Sequence, residues 1–324
     1  MNQGRVASLL LAVGLVVLPP LSAAETAPKM ARVGFVAPQG RSLPLFDAFR
    51  EGLADLGYVE GKNVVIEARF AEGHYERLRD LFAELIGLKV DVIAVTGALT
   101  AREAAKVVSG VPITFAVVVD PVADGVVANM EQPEGDLTGT TSFDPQQPGK
   151  QLELLREVFP TLKHVGILGD QGVSPALIEA SEAQARAMGL EVLPIRISVT
   201  KPPLEQVFAT LRENHSEALV VLEEPVVGVL ASRIAELAAK DHLPTLFAPS
   251  RVAAGGLLAY GTSQVQSIRR MAVYVDKILK GARPGDLPVE RVASYELIVN
   301  ARTAGEIGVV IPPAVLGRAD RVIH

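Results

Sequence analysis

Short apolar segments recur along this chain at one fixed spacing of 132 residues, and that register restricts the fold more than any other feature. Val-Pro-Ile-Thr-Phe-Ala at 111–116 returns as Leu-Pro-Thr-Leu-Phe-Ala at 243–248. Arg32-Val33-Gly34-Phe35-Val36 returns as His164-Val165-Gly166-Ile167-Leu168. The helical patterns that follow, 45–56 and 177–188, close on Gly57 and Gly189, again 132 apart. One hexamer would be chance, but three landmarks in one register imply an internal duplication. Two similar halves imply a cleft between them.

Within the first half, apolar runs and amphipathic stretches alternate. Residues 32–37, 64–70, 90–95, 111–119 and 137–141 read as strands, and 45–56, 75–86, 100–108 and 121–130 read as the helices between them. The strand runs are continuously apolar, as expected when helices cover both faces of a parallel sheet. The second half repeats the order, with strands at 164–168, 191–197, 218–222, 245–248 and 256–260 and helices at 175–188, 204–212 and 229–239. The expected fold class is therefore α/β, two similar doubly wound parallel-sheet lobes. A long helix at 265–280 and extended chain at 289–300 belong to neither repeat. If the helix docks on the first lobe and the tail returns to the second, the chain crosses three times, near 142–148, 260–264 and 286–290. That is a three-segment hinge. On this reading 25–142 with 261–288 form the N-terminal lobe, and 143–260 with 289–324 the C-terminal lobe.

Residues 1–24 read as a cleaved signal peptide: Arg5, an apolar run at 9–18, Pro19-Pro20 and small residues at 22–24. The apolar run is too short to span a bilayer, which needs about 20 residues. The chain has no cysteine, so no thiol is available for a lipid anchor, and a thiol-free core of this size fits a periplasmic protein. A formal charge of −6 without any basic block argues against nucleic acid as a partner. The five histidines lack ligand-like spacing, and neither a GxSxG motif nor a P-loop is present. No catalytic group, metal site or cofactor is expected, and the chain is not read as an enzyme.

In open α/β sheets ligands bind beyond the carboxyl ends of the strands, where helix N-termini present unpaired N–H groups. The candidates in the first lobe are Pro38, Gln39, Ser42, Thr96, Gly97, Ala98, Asp120 and Thr141; those in the second are Asp170, Gln171, Glu223, Glu224, Ser250 and Tyr260. Asp120-Pro121 is equally a cap and first residue of a helix. The hydroxyls of Thr96, Thr140, Thr141 and Ser142 either donate to a ligand carboxylate or cap and turn the chain. Glu223 and Glu224 continue an apolar strand onto opposite sides, so one of them is expected to face the cleft, where it either pairs with a ligand ammonium or is simply a solvated acid. Tyr260 either packs on an organic ligand or is a buried hinge tyrosine.

The segments YVDKILKGARPGDLPVE (274–290) and SYELIVNARTAGEIGVVIP (294–312) resemble the extracytoplasmic substrate-binding proteins of ABC transporters, in the branch that looks like tryptophan/tyrosine binders. GYVEGKNVVIEARFAEG (57–73), VVVDPV (117–122) and GGLLAYG (255–261) extend the likeness over essentially the whole chain after the leader. The resemblance implies a type I periplasmic-binding-protein-like architecture, capture of a small-molecule ligand between the lobes, and delivery to an ABC permease in the inner membrane, with a monomer expected. The family's strand-end positions fall on Gly97-Ala98, Asp120-Pro121, Glu224-Pro225 and Tyr260-Gly261. This chain has Gly97-Ala98-Leu99 where relatives often read Gly-Thr-Pro, and Glu224-Pro225 where they often read Asp-Pro, so the pocket is altered. A ligand-binding accessory of a membrane sensor kinase is the alternative function; an enzyme lacks its chemistry, and a repressor-type sensing domain lacks a helix-turn-helix ahead of Arg32.

Overall fold

Each half of the duplication builds its own sheet. The structure, a computed structural model, describes residues 30–38, 40, 45–142, 144, 146–170, 175–197, 203–222 and 225–324. The expected leader therefore lies outside the described residues. In the first sheet β1 (Ala31–Ala37), β2 (Val64–Phe70), β3 (Val92–Thr96), β4 (Ile113–Val118) and β5 (Leu137–Thr141) take the order β5-β4-β3-β1-β2, all parallel. In the second, β6 (His164–Asp170), β7 (Glu191–Ile197), β8 (Ala218–Val221), β9 (Thr245–Phe247) and β10 (Leu258–Thr262) take the order β10-β9-β8-β6-β7, also parallel. Position for position the two orders are the same. The 132-residue register is thus the register between two copies of one open sheet.

Packing explains one element of the repeated sequence directly. Helix α2 (Leu78–Gly87) lays Leu85 over β1, and a Cβ at Gly34 would sit 2.9 Å from that side chain. Between them in the chain come α3 (Ala98–Val107), α4 (Gln147–Val158) and α5 (Pro175–Ala187), and then α6 (Leu204–Glu213) lays Leu211 over β6 in the same way. A Cβ at Gly166 would be 2.4 Å from Leu211. Interiors this dense leave no room for a methyl group, so both copies keep glycine at the same point.

Helix α1 (Leu45–Asp55) covers the other face of the first sheet. Beyond α7 (Pro225–Lys240), the long helix α8 (Gln264–Leu279) crosses back to pack beside it, with Phe35, Phe49, Leu53, Met271 and Val275 in one buried cluster. The two helices touch through Gly52, where a Cβ would lie 3.0 Å from that of Ala272. Tyr58 donates to Asp276 at 3.0 Å across the same seam, and burial, with the Asp276 carboxylate adding to it, pushes the Tyr58 hydroxyl up to about 12.

The tail then divides between the sheets. Strand β11 (Glu290–Arg291) pairs with β5 in the first sheet, and β12 (Tyr295–Asn300) pairs antiparallel with β10 in the second. The third passage between lobes therefore runs through 292–294, beyond the 286–290 expected. After α9 (Ala301–Ile307) and α10 (Pro313–Leu316), β13 (Arg321–Ile323) pairs with β12 at the sheet edge. The passages are tied together: Ser263 N–H donates to Ser294 O at 2.8 Å, Val292 N–H to Thr141 O at 2.9 Å, and Tyr295 OH to Asp144 Oδ2 at 2.5 Å. Burial, seconded by Asp144, pushes the Tyr295 hydroxyl up to about 12.

Two sequence expectations are overturned. The helix expected at 121–130 is a run of turns. Asp120 Oδ1 accepts from Val122 and Ala123 N–H as a helix cap would, but Gly125 at φ +65° turns the chain back, and Val126 and Val127 N–H return to Pro121 O. Conversely, no helix is expected between the strands at 137–141 and 164–168, yet α4 fills that stretch; Pro148 lies in its first turn, where a missing N–H costs nothing. Among the described residues no helix is long and apolar enough to cross a membrane.

Candidate functional site

A cavity of about 80 Å³ opens between the lobes, at the carboxyl ends of β3 and β4. That is well above the roughly 10–15 Å³ a site needs to admit a single water. Its floor comes from the first lobe: Pro38 after β1, Thr96 ending β3, the first turn of α3 from Gly97 to Thr100, and Val117 and Val119 in and after β4. Tyr75, Leu45, Asp124 and Ser142 add to that side, Thr262, Gln264 and Ser267 come from the hinge around the start of α8, and Arg251 comes from the second lobe. The wall thus combines apolar bodies with a few polar groups, as small-molecule sites do.

Local backbone geometry sets this floor. Gly97, at φ +84°, lets β3 turn straight into α3, so the helix N-terminus with its unpaired N–H groups stands beside the cavity. The β4–β5 pairing shifts register between Phe115 and Val118, and Val117 takes φ +59°, a conformation costly for a β-branched residue. Thr141 Oγ1 steadies this kink by donating to Val118 O at 2.9 Å and to Val119 O at 2.8 Å. Gly139 permits it, since a Cβ there would lie 2.0 Å from Phe115 O.

Hydrogen-bond accounting separates this cavity from the rest of the molecule. Six buried side-chain polar atoms lack a partner among the described residues, and four of them belong to its wall: Oγ1 of Thr96, Thr100 and Thr262, and Nε of Arg251. The three threonines are at least 97% buried. Buried polar atoms are almost always bonded, so a concentration of unsatisfied ones marks where a ligand or ordered water belongs. Asp124 is half-buried on the same wall, and burial pushes its carboxyl up despite the hydrogen bond from the Asp120 segment and the neighbouring Arg102 guanidinium.

Of the residues singled out from sequence, Pro38, Thr96, Gly97 and Ala98 come together at this cavity. Asp120 instead stands behind it, capping its own turn. The hydroxyl of Thr141 is spent on the β4 kink. Ser250 is exposed and outside the wall, which takes its neighbour Arg251 instead. Tyr260 faces a separate, shallower pocket, where its ring lies parallel to Tyr295 at 5.8 Å; Lys150 Nζ covers Tyr295 at 4.9 Å. Gln39, Ser42, Gln171, Glu223 and Glu224 lie outside the described residues, as does the side chain of Asp170.

Ser142, one of the hydroxyls named from sequence, also lines the wall; Thr100 and Arg251 lie in the strand-end stretches 96–100 and 248–251 but are not among the individual candidates, and Asp124 and Ser267 lie outside those stretches. Thr100 carried a usable signal, lying one helical turn past Thr96 at an expected helix start. Arg251 carried another, a lone base in the otherwise apolar stretch from Leu243 to Tyr260. Asp124 carried none, because its place depends on the turn that replaced the expected helix.

The chain is 24% identical over 258 residues, 79% of its length and 74% of the relative's, to a tyrosine-binding protein of Clostridioides difficile (strain R20291). The fold superposes on a conserved domain protein from Vibrio cholerae with a TM-score of 0.81 at 27% identity, covering 91% of this chain and 100% of that one. An ABC domain from Streptococcus pneumoniae in complex with L-Trp gives a TM-score of 0.80 at 24% identity, covering 90% and 99%. The more distant leucine-binding protein LivK of Thermotoga maritima, at 16% identity, 78% and 77% coverage and a TM-score of 0.54, shares the type I periplasmic binding architecture. Residues 36–323 match the family described as ABC transporter substrate binding protein, and the chain belongs to that family.

Proposed function

We propose that this chain is the extracytoplasmic solute-binding component of an ABC importer, capturing an amino acid or small organic carboxylate between its lobes and delivering it to a permease in the inner membrane. The observation that carries the reading is the set of unsatisfied donors, Thr96, Thr100, Thr262 and Arg251, supplied to one cavity by both lobes and the hinge. A solute bonded to all of them touches both lobes only when they are closed. That difference in affinity is what shifts an open–closed equilibrium. The α3 N-terminus with the Thr96 and Thr100 hydroxyls suits an anionic group, while Tyr75, Leu45 and Val117 suit an apolar body. A dissociation constant near 1 μM corresponds to about −8 kcal/mol, within reach of a few charge-assisted hydrogen bonds. The relatives that bind tyrosine and L-Trp support the amino-acid class. The expected leader supports the periplasm, and the site binds without turnover, as a monomer.

The test is to denature the purified protein, identify released small molecules by mass spectrometry, and return each to the refolded protein in a melting assay. One stoichiometric compound that raises the melting temperature and is recovered unchanged is expected. Conversion of that compound to a product, or no shift across a broad metabolite panel, refutes the proposal.

A further inference from the structure

Arg251 stands out among the groups on the cavity wall. It lies in the short 3-10 segment Pro249–Ala254 between β9 and β10, and among the described residues it is the one charged wall residue of the second lobe. Its Nε is buried and makes no hydrogen bond, and no ion pair involving Arg251 occurs among the described residues, where most arginines are paired. Asp124, the acidic group of the same wall, is not within salt-bridge distance of it. Leaving a guanidinium half-buried and unpaired is costly, because it cannot shed its proton and its five donors need acceptors. The second lobe therefore meets the cleft with a positive charge that nothing among the described residues neutralises.

Resting on the solute-capture reading above, we propose that Arg251 is the residue that recognises an anionic group on the solute, and that this anion, seated on the first lobe, is what draws the second lobe down. The occupant is an acid, and Arg251 is the specificity determinant that separates it from its uncharged analogues. The geometry supports a shared anion: the Thr96 and Thr100 hydroxyls and the α3 N-terminus come from the first lobe, and the guanidinium comes from the second. A planar fork is suited to a carboxylate with oxygens to spare for such neighbours. The apolar body of the solute contributes to affinity without distinguishing acid from amide.

Melting shifts and calorimetry on the purified protein would compare pairs that differ in one charge: benzoate with benzamide, L-tyrosine with L-tyrosinamide, and L-tryptophan with L-tryptophanamide, with myo-inositol and glucose as uncharged solutes. At least one acid is expected to bind, with its amide weaker by about 10- to 150-fold, the range for a hydrogen bond to a charged group. Arg251→Gln is expected to weaken the acid by the same factor and to leave the amide unchanged, and Arg251→Lys to restore part of the difference. The lysine variant also keeps the test alive should the glutamine variant misfold. Equal binding of acid and amide, or equal weakening of both by Arg251→Gln, overturns the proposal. An uncharged solute binding where no acid binds at millimolar concentration also overturns it while leaving solute capture standing. Silence from every solute overturns both.

Discussion

Replacing Thr96 or Thr262 with valine is expected to stabilise the solute-free protein, against the usual direction of buried substitutions. Each threonine buries a hydroxyl oxygen that has no partner, and each lies within 3% of full burial. An unsatisfied buried polar group costs about 1–3 kcal/mol. Water in the cavity recovers part of that, so the low end applies, about 1 kcal/mol gained per variant. At an unfolding entropy of about 2.1 cal/mol/K per residue, a chain of this size shifts by roughly 1.5 °C per kcal/mol, so the melting temperature should rise by about 1.5 °C. Most buried substitutions instead lose about 1 kcal/mol, so the sign alone is informative. The same variants remove a donor from the solute, and affinity should fall by roughly 2- to 12-fold, the range for one neutral hydrogen bond. Thr114→Val is the control, because its hydroxyl is also buried and unpaired but lies away from the cavity. It should stabilise without touching binding. The assay is scanning calorimetry on protein refolded from denaturant to strip solute, followed by titration with the released compound. If both cavity variants melt lower while Thr114→Val melts higher, the cavity hydroxyls hold structural bonds and the reasoning from unsatisfied donors fails.

Gly139→Ala should cost about 4 kcal/mol or abolish soluble expression, because its Cβ would meet the Phe115 carbonyl oxygen of the neighbouring strand at 2.0 Å; urea unfolding near wild-type stability would contradict the kink described for β4. Asp124 has its carboxyl raised by burial above the ordinary 3.8, so the folded state keeps an extra proton across that window. Stability of the solute-free protein therefore falls as pH rises through it. Asp124→Asn should flatten that limb and be more stable than wild type above it, and parallel pH–stability curves would argue against the buried placement. Tyr295→Phe removes the 2.5 Å bond to Asp144 that ties two passages of the hinge, a loss of about 1 kcal/mol. Amide hydrogen exchange around 146–147 and 292–295 should quicken by about fivefold, and unchanged exchange would show that the bond does not hold the passages together.

The architecture was legible because its cause is local and written twice. Continuous apolar strands closed by glycines, and a glycine under a helix leucine at Gly34 and again at Gly166, follow from covering both faces of a sheet. What escaped reading depended on signals shared by different structures. An Asp-Pro pair starts a turn as readily as a helix, and at 120–127 the outcome was decided by Gly125. Gln-Pro-Gly at the head of α4 looks like a joint until the buried Leu152, Leu155 and Val158 behind it are weighed. The site was half legible for a similar reason. Thr96, Gly97 and Ala98 follow from the strand-end rule, whereas Thr141 and Tyr260 obey the same rule and are occupied elsewhere, Thr141 by carbonyls 22 and 23 residues back and Tyr260 by a ring on β12. Which strand-end groups stay free is a property of the assembled fold.

The placement of α8 has a consequence for how the molecule is made. It is synthesised after both repeats, yet it supplies Ile268, Met271, Ala272 and Val275 to the core of the first lobe, and Tyr58 meets Asp276 across 218 residues of chain. Until residue 279 has emerged, α1 has only part of its partner surface, and an intermediate with Phe46 and Phe49 incompletely covered is the form a nascent chain offers to chaperones. Contacts this distant in sequence slow folding and lengthen the interval spent incomplete. The first repeat can therefore not be cut out as a continuous fragment and be expected to fold: part of its core is a helix that belongs to neither repeat and arrives only after both have been made.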